Sequence, residues 1–495
     1  MSAATAQLRP RTGLMANTAV LVSYSVFETV VVFLFTVFLA RYLGTGDFGR
    51  LGFALSYSLL FSVLADPGIS VAMTKLVATS DAERQKQFIA TGLALRALLS
   101  VAVLAISMLP FGFSAYMRRN AVFLTIILVS EHLRSMTLYL CSVFRGHQRN
   151  SYEAFSLGVE RMAALAAGWW LLRQGYGLQA IGWLYLGARL ASLLFALVLL
   201  VRRIGWFPLG LDRLFIADIW RQALPLAVLL VCERANMYVP PVIVTFFAGE
   251  HATGIFQAAF KTVMPAVLLC TAVSASLYAP MASRFKVDPL ESARLYRLGV
   301  RGLLHIALPG AAVCLVFGRP LMLLLYGGPY AESVAVLRCL APYFVSIVII
   351  AMSHLFMPAI DRQRKVAAVS IISVLLNVGS GLVLAPRWGP VGAGASLAVA
   401  QIVVAVIYGR LASRYGGARL ALAEWRTMAV AFAASLGALA LLERNFAASP
   451  LVVLLTAGLL SAAIYVLVLF AQGGVCLEER HALRSAGRRL LPRLA

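Results

Sequence analysis

Long apolar runs separated by short polar connectors repeat along nearly the whole chain. A helix needs about 20 apolar residues to cross the hydrocarbon core of a bilayer. Runs of that length lie near 15–40, 50–74, 88–112, 120–144, 152–172, 179–201 and 219–247, then near 254–282, 300–318, 333–358, 366–386, 391–411, 427–443 and 449–472. The pattern predicts an all-α polytopic membrane protein with about fourteen transmembrane helices. Arg9 and Arg11 precede the first run, as in a secretory signal. That run is too long for a signal core and lacks a small-x-small cleavage site, so it reads as a retained first helix.

Composition agrees with this reading. Of 495 residues, 61% are hydrophobic and 13% charged, against roughly a quarter charged in a soluble domain. The net charge of +23 raises nucleic acid as a partner, but the basic residues lie in connectors and form no basic face with stacking aromatics, which excludes it. Of the 43 Lys and Arg, 28 fall on the side of the connectors that carries both termini, eight on the opposite side, and the remaining seven inside the runs. By the positive-inside rule both termini face the cytoplasm, which places a multi-pass protein in the cell inner membrane and supports the even number of spans. The tryptophans, Trp206 and Trp425 among them, sit near run ends or in connectors, as an interfacial belt requires. Six scattered cysteines and the lack of a CxxC or His-rich cluster indicate neither a metal site nor a disulfide frame, and no cofactor motif is present.

The two halves carry a weak repeat. LGTGDFG at 43–49 corresponds to AGEHATG at 248–254; FRGHQRN at 144–150 corresponds to AIDRQRK at 359–365, with Gln148 on Gln363 and Arg149 on Arg364; and RQGYGLQAIG at 173–182 corresponds to PRWGPVGAG at 386–394. Three motifs in the same order divide the chain into an N-terminal lobe at 1–212, a C-terminal lobe at 213–415, a helix pair at 416–472 and a basic tail at 473–495. The tail, with HALRSAGRRLLPRLA, suits an anionic lipid surface or a disordered positive end.

At LARYLGTGDFGRLGFALSYSLLFSVLADPGIS, 39–70, and GIFQAAFKTV, 254–263, the chain resembles the polysaccharide flippase branch of the multidrug/oligosaccharidyl-lipid/polysaccharide exporter superfamily. The resemblance runs over about 13–415. It implies two six-helix lobes around a central cavity open alternately to each side, two peripheral C-terminal helices, and transport of a lipid-linked oligosaccharide or polysaccharide repeat unit, delivered as a polyprenyl-diphosphate-linked saccharide, from the cytoplasmic to the outer leaflet. It also implies membrane lipids as partners and allows glycan-assembly proteins.

Ionisable groups inside spans are costly and face a cavity or a partner. The basic ones are Arg96, Arg134, Arg161, Arg189, Arg234, Lys261 and Arg338, and the acids Glu28, Asp66, Glu131, Glu160 and Glu233. The cation excess suits a phosphate or diphosphate head group. Adjacent Glu160 and Arg161, and Glu131 and Arg134 one turn apart, are candidates for mutual pairing. Arg96 and Arg189 are candidates for snorkelling, and Asp66, before Pro67 and Gly68, for capping a helix break. Glu28, Arg234 and Lys261 lie on spans that line the cavity in the resembled fold. The candidate substrate contacts are therefore Arg234, Lys261, Glu28, Glu233 and Arg134, with coupling-cation binding the rival role for the two glutamates. Pro225, Pro240, Pro241, Pro265 and Pro280 mark expected bends in the seventh and eighth spans.

No GxxxxGK[ST] motif is present, so the driving force comes from an ion gradient, a partner or the substrate gradient. A multidrug or metabolite cation-coupled antiporter of the same superfamily is the transporter alternative. A membrane glycosyltransferase or polymerase is the enzyme alternative, disfavoured by short outer connectors and the lack of a catalytic constellation. A scaffold recruiting a glycan-assembly complex is the third. The chain is read as a transporter, not an enzyme.

Overall fold

A computed structural model describes residues 12–205, 210–445 and 449–472. Arg9, Arg11, Trp206, Cys476 and the basic tail at 473–495 lie outside the described residues. Among those described, every α-helix or short 3-10 turn follows another with no strand between. The helices are α1 Thr12–Ala65, α2 Ile69–Thr79, α3 Ala82–Met108, α4 Ala115–Arg119, α5 Ala121–Gly146, α6 Asn150–Arg173, α7 Leu178–Ile204, α8 Arg213–Phe285, α9 Pro289–Val316, α10 Gly318–Tyr326, α11 Ser333–Cys339, α12 Ala341–Ala359, α13 Gln363–Gly416, α14 Leu422–Asn445 and α15 Pro450–Ala471.

Ten of these are long and apolar enough to cross a membrane. Three are too long for one passage: at ~1.5 Å per residue, α1 and α13 would each extend about 80 Å and α8 about 110 Å, against a core of about 30 Å. Each is two helices meeting at one non-helical glycine, Gly44 (φ 70°), Gly249 (φ 84°) or Gly389 (φ 54°). The prolines expected to bend α8 end nothing; Gly249 is its non-helical residue. Proline's fixed φ is helical, whereas the positive φ of a sharp break is easily reached only by glycine. The 24-residue α6 is long enough but too polar to join the ten, since it carries Glu153, Glu160 and Arg161. The run expected at 50–74 is split at Asp66–Pro67–Gly68, where Asp66 caps α2: the Ser70 amide donates to Oδ1 at 3.0 Å, and the Ser70 hydroxyl donates to Oδ2.

The repeat is visible in the backbone. Gln148 and Asp361 both have φ 58° although neither is glycine. Both follow a helix end closed the same way: the Arg149 amide donates to the Phe144 carbonyl at 2.9 Å, and the Arg362 amide to Met357 at 2.8 Å, the Schellman arrangement. The equivalent of Gln148 is therefore Asp361, two residues before the Gln363 that side-chain identity had suggested. Backbone geometry, not the side chain, is what recurs. Gly175 and Gly389 (φ 81° and 54°) form a further pair, and Gly44 and Gly249 another.

The described residues form two compact units, one within 1–257 with 373–393, the other within 258–372 with 394–495. The first has a core where α2, α3, α5, α7 and the start of α8 meet around Met73, Ile89, Tyr139, Val143, Ala196 and Ile219. Gly92 makes room there, since a Cβ would stand 2.3 Å from the Tyr139 hydroxyl. In the second unit α14 and α15 pack on α9 around Ala312, Phe317, Leu439 and Ala457. Hydroxyl bridges support this packing: Ser435 donates to the Ser461 carbonyl at 3.2 Å, and Ser461 to the Pro309 carbonyl at 3.3 Å. Such bonds help hold helices together where lipid offers no partner.

Candidate functional site

Within the first unit, α1, α5, α6 and α7 place their charged side chains in one network. Glu28 accepts from Arg161 at 3.2 Å and from Arg134 at 3.4 Å. Arg134 and Arg189 each lie 4.0 Å from Glu160. Arg189 donates to Glu131 and to the Ser130 hydroxyl, both at 2.6 Å, and its guanidinium stacks over the Tyr185 ring at 4.8 Å. The pairs expected within helices are absent. Glu160 and Arg161 are neighbours in sequence and so point in different directions around α6, while Glu131 meets Arg189 of α7 instead of Arg134.

Arg96 and Arg189 do not snorkel: they are 0% and 2% exposed. Arg96 donates to the Ala65 carbonyl and to the carbonyl and hydroxyl of Ser135 at 3.1 and 2.6 Å, with Asp66 3.6 Å away. It thereby satisfies the carbonyl left open where α1 ends. A buried cation without such partners would carry a large desolvation cost.

These contacts change the charge ledger. Four arginines, Arg96, Arg134, Arg161 and Arg189, are matched by Asp66, Glu28, Glu131 and Glu160. Of the three remaining cations, Arg338 is held by the Leu315 carbonyl at 3.0 Å, and Arg234 is exposed, with a contact to the Tyr238 hydroxyl at 3.4 Å. Lys261 lies in the second unit, partly buried, with no ion pair among the described residues. Glu233 is exposed. Of the five candidate contacts, Glu28 and Arg134 thus meet directly, Arg234 is bonded to Tyr238, Glu233 is next to it in sequence, and Lys261 belongs to the second unit.

Sequence reasoning missed two features of the first unit. Asn236 of α8 is bonded to α13, its side chain accepting from Ser373 at 3.2 Å and from Asn377 at 3.3 Å. The second is a crossing of two helix starts. Arg50 donates to Glu250 through Nε at 3.0 Å and Nη2 at 2.9 Å, and Thr45 meets His251 at 2.7 Å. A Cβ on Gly49 would stand 1.8 Å from the Glu250 carbonyl oxygen, and one on Gly254 would stand 2.0 Å from the Thr45 carbonyl oxygen. Gly49 and Gly254, like Thr45 and Glu250, are equivalent positions of the repeat, so the contact is a pseudo-two-fold one. One turn further, Gln257 donates to the Gly52 carbonyl at 3.3 Å and to Ser56 at 3.2 Å. Beside this crossing, on α4, burial and then the Glu250 carboxylate push the Tyr116 phenol well above its usual range.

Residues 14–286, more than half of the chain, match the family described as "Polysaccharide biosynthesis protein". The chain belongs to this family. Among curated proteins, none matches the sequence significantly. Solved structures share the fold of this chain at low identity. The lipid II flippase MurJ in an inward closed conformation is 14% identical and superposes with a TM-score of 0.74, over 90% of this chain and 96% of that one. A multidrug resistance MATE family transporter of the MOP superfamily, inward-facing, gives 16% and 0.60 over 77% and 92%, and an outward-facing one 17% and 0.54 over 80% and 92%. The expected all-α membrane fold is therefore the one seen in these solved transporter structures.

Proposed function

We propose that this protein moves an anionic, lipid-linked saccharide from the cytoplasmic to the outer leaflet by alternating access, with residues 1–212 and 213–415 acting as its two lobes and both termini in the cytoplasm. The observation that carries the reading is the outcome of the charge ledger. Once the ion pairs are made, Arg234 and Lys261 are cations at membrane depth without a carboxylate, in a chain of this family. A diphosphate leaving water loses hydration, and fixed cations replace it with charge-assisted hydrogen bonds. Arg234 offers a two-pronged donor and Lys261 a compact charge. Glu28 and Arg134 play a positioning role here, since each is already held by an opposite charge. Glu28, engaged by two arginines, is a poor site for a coupling cation, and exposed Glu233 is the better one.

The test is transport of a polyprenyl-diphosphate saccharide in reconstituted vesicles. Arg234→Ala and Lys261→Ala should each slow it at least about tenfold, the loss of one charge-assisted contact, with Lys261→Arg milder than Lys261→Ala. Wild-type rates in both alanine variants would remove these residues from the site. Efflux of organic cations in place of lipid-linked saccharide would favour the antiporter reading.

A further inference from the structure

The second unit holds two adjoining cavities whose walls differ in kind. One, of about 460 Å³, is lined by Arg410, Arg414 and Arg419 together with Trp425. The other, of about 550 Å³, is lined by Leu308, Ala311, Val345, Ile402, Ala405 and Phe432, among others, and by Arg338. Ile349, Val406, Gly409 and Trp425 line both, so the two are one groove with a basic end and an apolar length. No carboxylate lines either cavity. The nearby acid, Glu424, is taken by Arg301 and by the Ala421 amide. Arg410, Arg414 and Arg419 have no ion pair among the described residues; Arg414 lies 5.6 Å from the Tyr415 ring. Arg338 donates to the Leu315 carbonyl at 3.0 Å.

We infer that this groove binds an anionic glycerophospholipid of the cytoplasmic leaflet, its phosphate among Arg410, Arg414 and Arg419 and an acyl chain along the apolar wall. Charge complementarity selects the head group, because basic pockets between helices on the cytoplasmic side attract anionic lipid, and these arginines lie in the connector that the Lys/Arg asymmetry assigns to that side. Length selects the tail. From Arg414 to Ile402 the helix rises about 18 Å at ~1.5 Å per residue, close to the half-thickness of about 15 Å of a bilayer core, so the groove has the reach of one acyl chain in one leaflet. Trp425, where the basic and apolar parts join, is the residue type favoured at the depth of the head groups. The groove is distinct from Arg234 and Lys261, and its occupancy is measured without transport.

The experiment is native mass spectrometry of the full chain purified in detergent, titrated with phosphatidylglycerol and, separately, with phosphatidylcholine. The wild type should prefer phosphatidylglycerol by about tenfold or more. Arg410→Gln, Arg414→Gln and Arg419→Gln combined should abolish the preference, whereas replacing Arg202 and Arg203 by Gln should leave it intact. Ala405→Phe, which fills the apolar wall and leaves the charges alone, should lower retention of the lipid; it keeps the question open to refutation if the triple variant fails to fold. The inference is overturned if the wild type shows no preference, if the triple variant keeps it, or if Ala405→Phe retains lipid as the wild type does. It is equally overturned if glycerol phosphate binds as tightly as the whole lipid, which would mark a free-anion site, or if a polyprenyl phosphate displaces phosphatidylglycerol at a lower concentration than phosphatidylglycerol itself needs, which would mark a path for the carrier's tail.

Discussion

Replacing Gly49 by alanine tests the crossing at the start of the second helix. The added Cβ would lie 1.8 Å from the Glu250 carbonyl oxygen and 2.7 Å from the Gly254 amide nitrogen. Both are backbone atoms in helices, so neither can swing aside as a side-chain end would. Restoring ordinary contact requires the two segments to part by about 1.5 Å, an overpacking change that costs about 1–3 kcal/mol. The same displacement stretches the Arg50–Glu250 bonds, now 2.9 and 3.0 Å, beyond hydrogen-bond range. Because these side chains are 31% and 22% exposed, that loss adds about 0.5–1 kcal/mol. The total, about 1.5–4 kcal/mol, moves an equilibrium between two states by roughly 10- to 700-fold at 1.4 kcal/mol per factor of ten. If transport proceeds by alternating access, Gly49→Ala should deplete the state in which the crossing is made. A cysteine at Ser56, 2% exposed and bonded to Gln257, reports on it. Its maleimide labelling rate in membrane fragments should rise at least about tenfold in the Gly49→Ala background, within the shift derived above. Gly46→Ala is the control, since a Cβ there meets nothing within 4 Å, and it should label as slowly as the parent. Equal labelling in Gly49→Ala and the parent, or equal acceleration by Gly46→Ala, would refute the close approach.

The charge network gives a second expectation. Arg189→Ala leaves Glu131 buried without its partner, and Glu160 with Arg134 alone, and should cost about 3–5 kcal/mol, read as a lowered thermal midpoint in detergent and partly recovered by adding Glu131→Gln. Arg96→Lys should behave as a non-conservative change, losing about 2 kcal/mol or more, because a single ammonium cannot span Ala65, Asp66 and both Ser135 oxygens; unchanged stability would show that those contacts are incidental. For topology, reporter fusions after Arg203, Arg284 and Arg414 should read cytoplasmic and fusions near Thr45 and Arg387 external, and a non-alternating pattern would end the fourteen-span reading.

The helices were legible because a bilayer imposes one length and one chemistry on each crossing. What was not legible is which helices face each other. Glu160 beside Arg161 suggests a local pair on paper, but the contacts of Glu160 run to α5 and α7 and those of Arg161 run to α1. The repeat aligned Thr45 with Glu250 and Gly49 with Gly254, yet alignment marks equivalent positions and says nothing of contact between them. The same limit hid the lipid groove, for Arg410, Arg414 and Arg419 could be counted as topogenic charge without a sign that an apolar wall ran up beside them. The register slip between Gln148 and Gln363 has a different origin. Matching side chains misled where the conserved quantity was a left-handed backbone position, one that a polar residue can occupy when helix-end hydrogen bonds hold it there.

The pairing pattern sharpens the distinction between charges that build the fold and charges free to act. An excess of seven cations over five acids, counted along the sequence, could mean seven substrate contacts or none. Cross-helix geometry assigns four arginines to four acids, and Arg96 and Arg189 are each tied as well to a neutral hydrogen bond or a ring that fixes their place. A substrate phosphate competing for Arg189 or Arg96 would have to displace a carboxylate and break neutral contacts as well, so affinity gained at the phosphate would be lost at the acid. Arg234 and Lys261 carry no such penalty: binding an anion there adds a partner without removing a carboxylate. The same reasoning separates Arg410, Arg414 and Arg419 from Arg301, whose carboxylate is already in place. Ligand-competent cations in this fold are therefore the ones that the fold itself leaves unmatched.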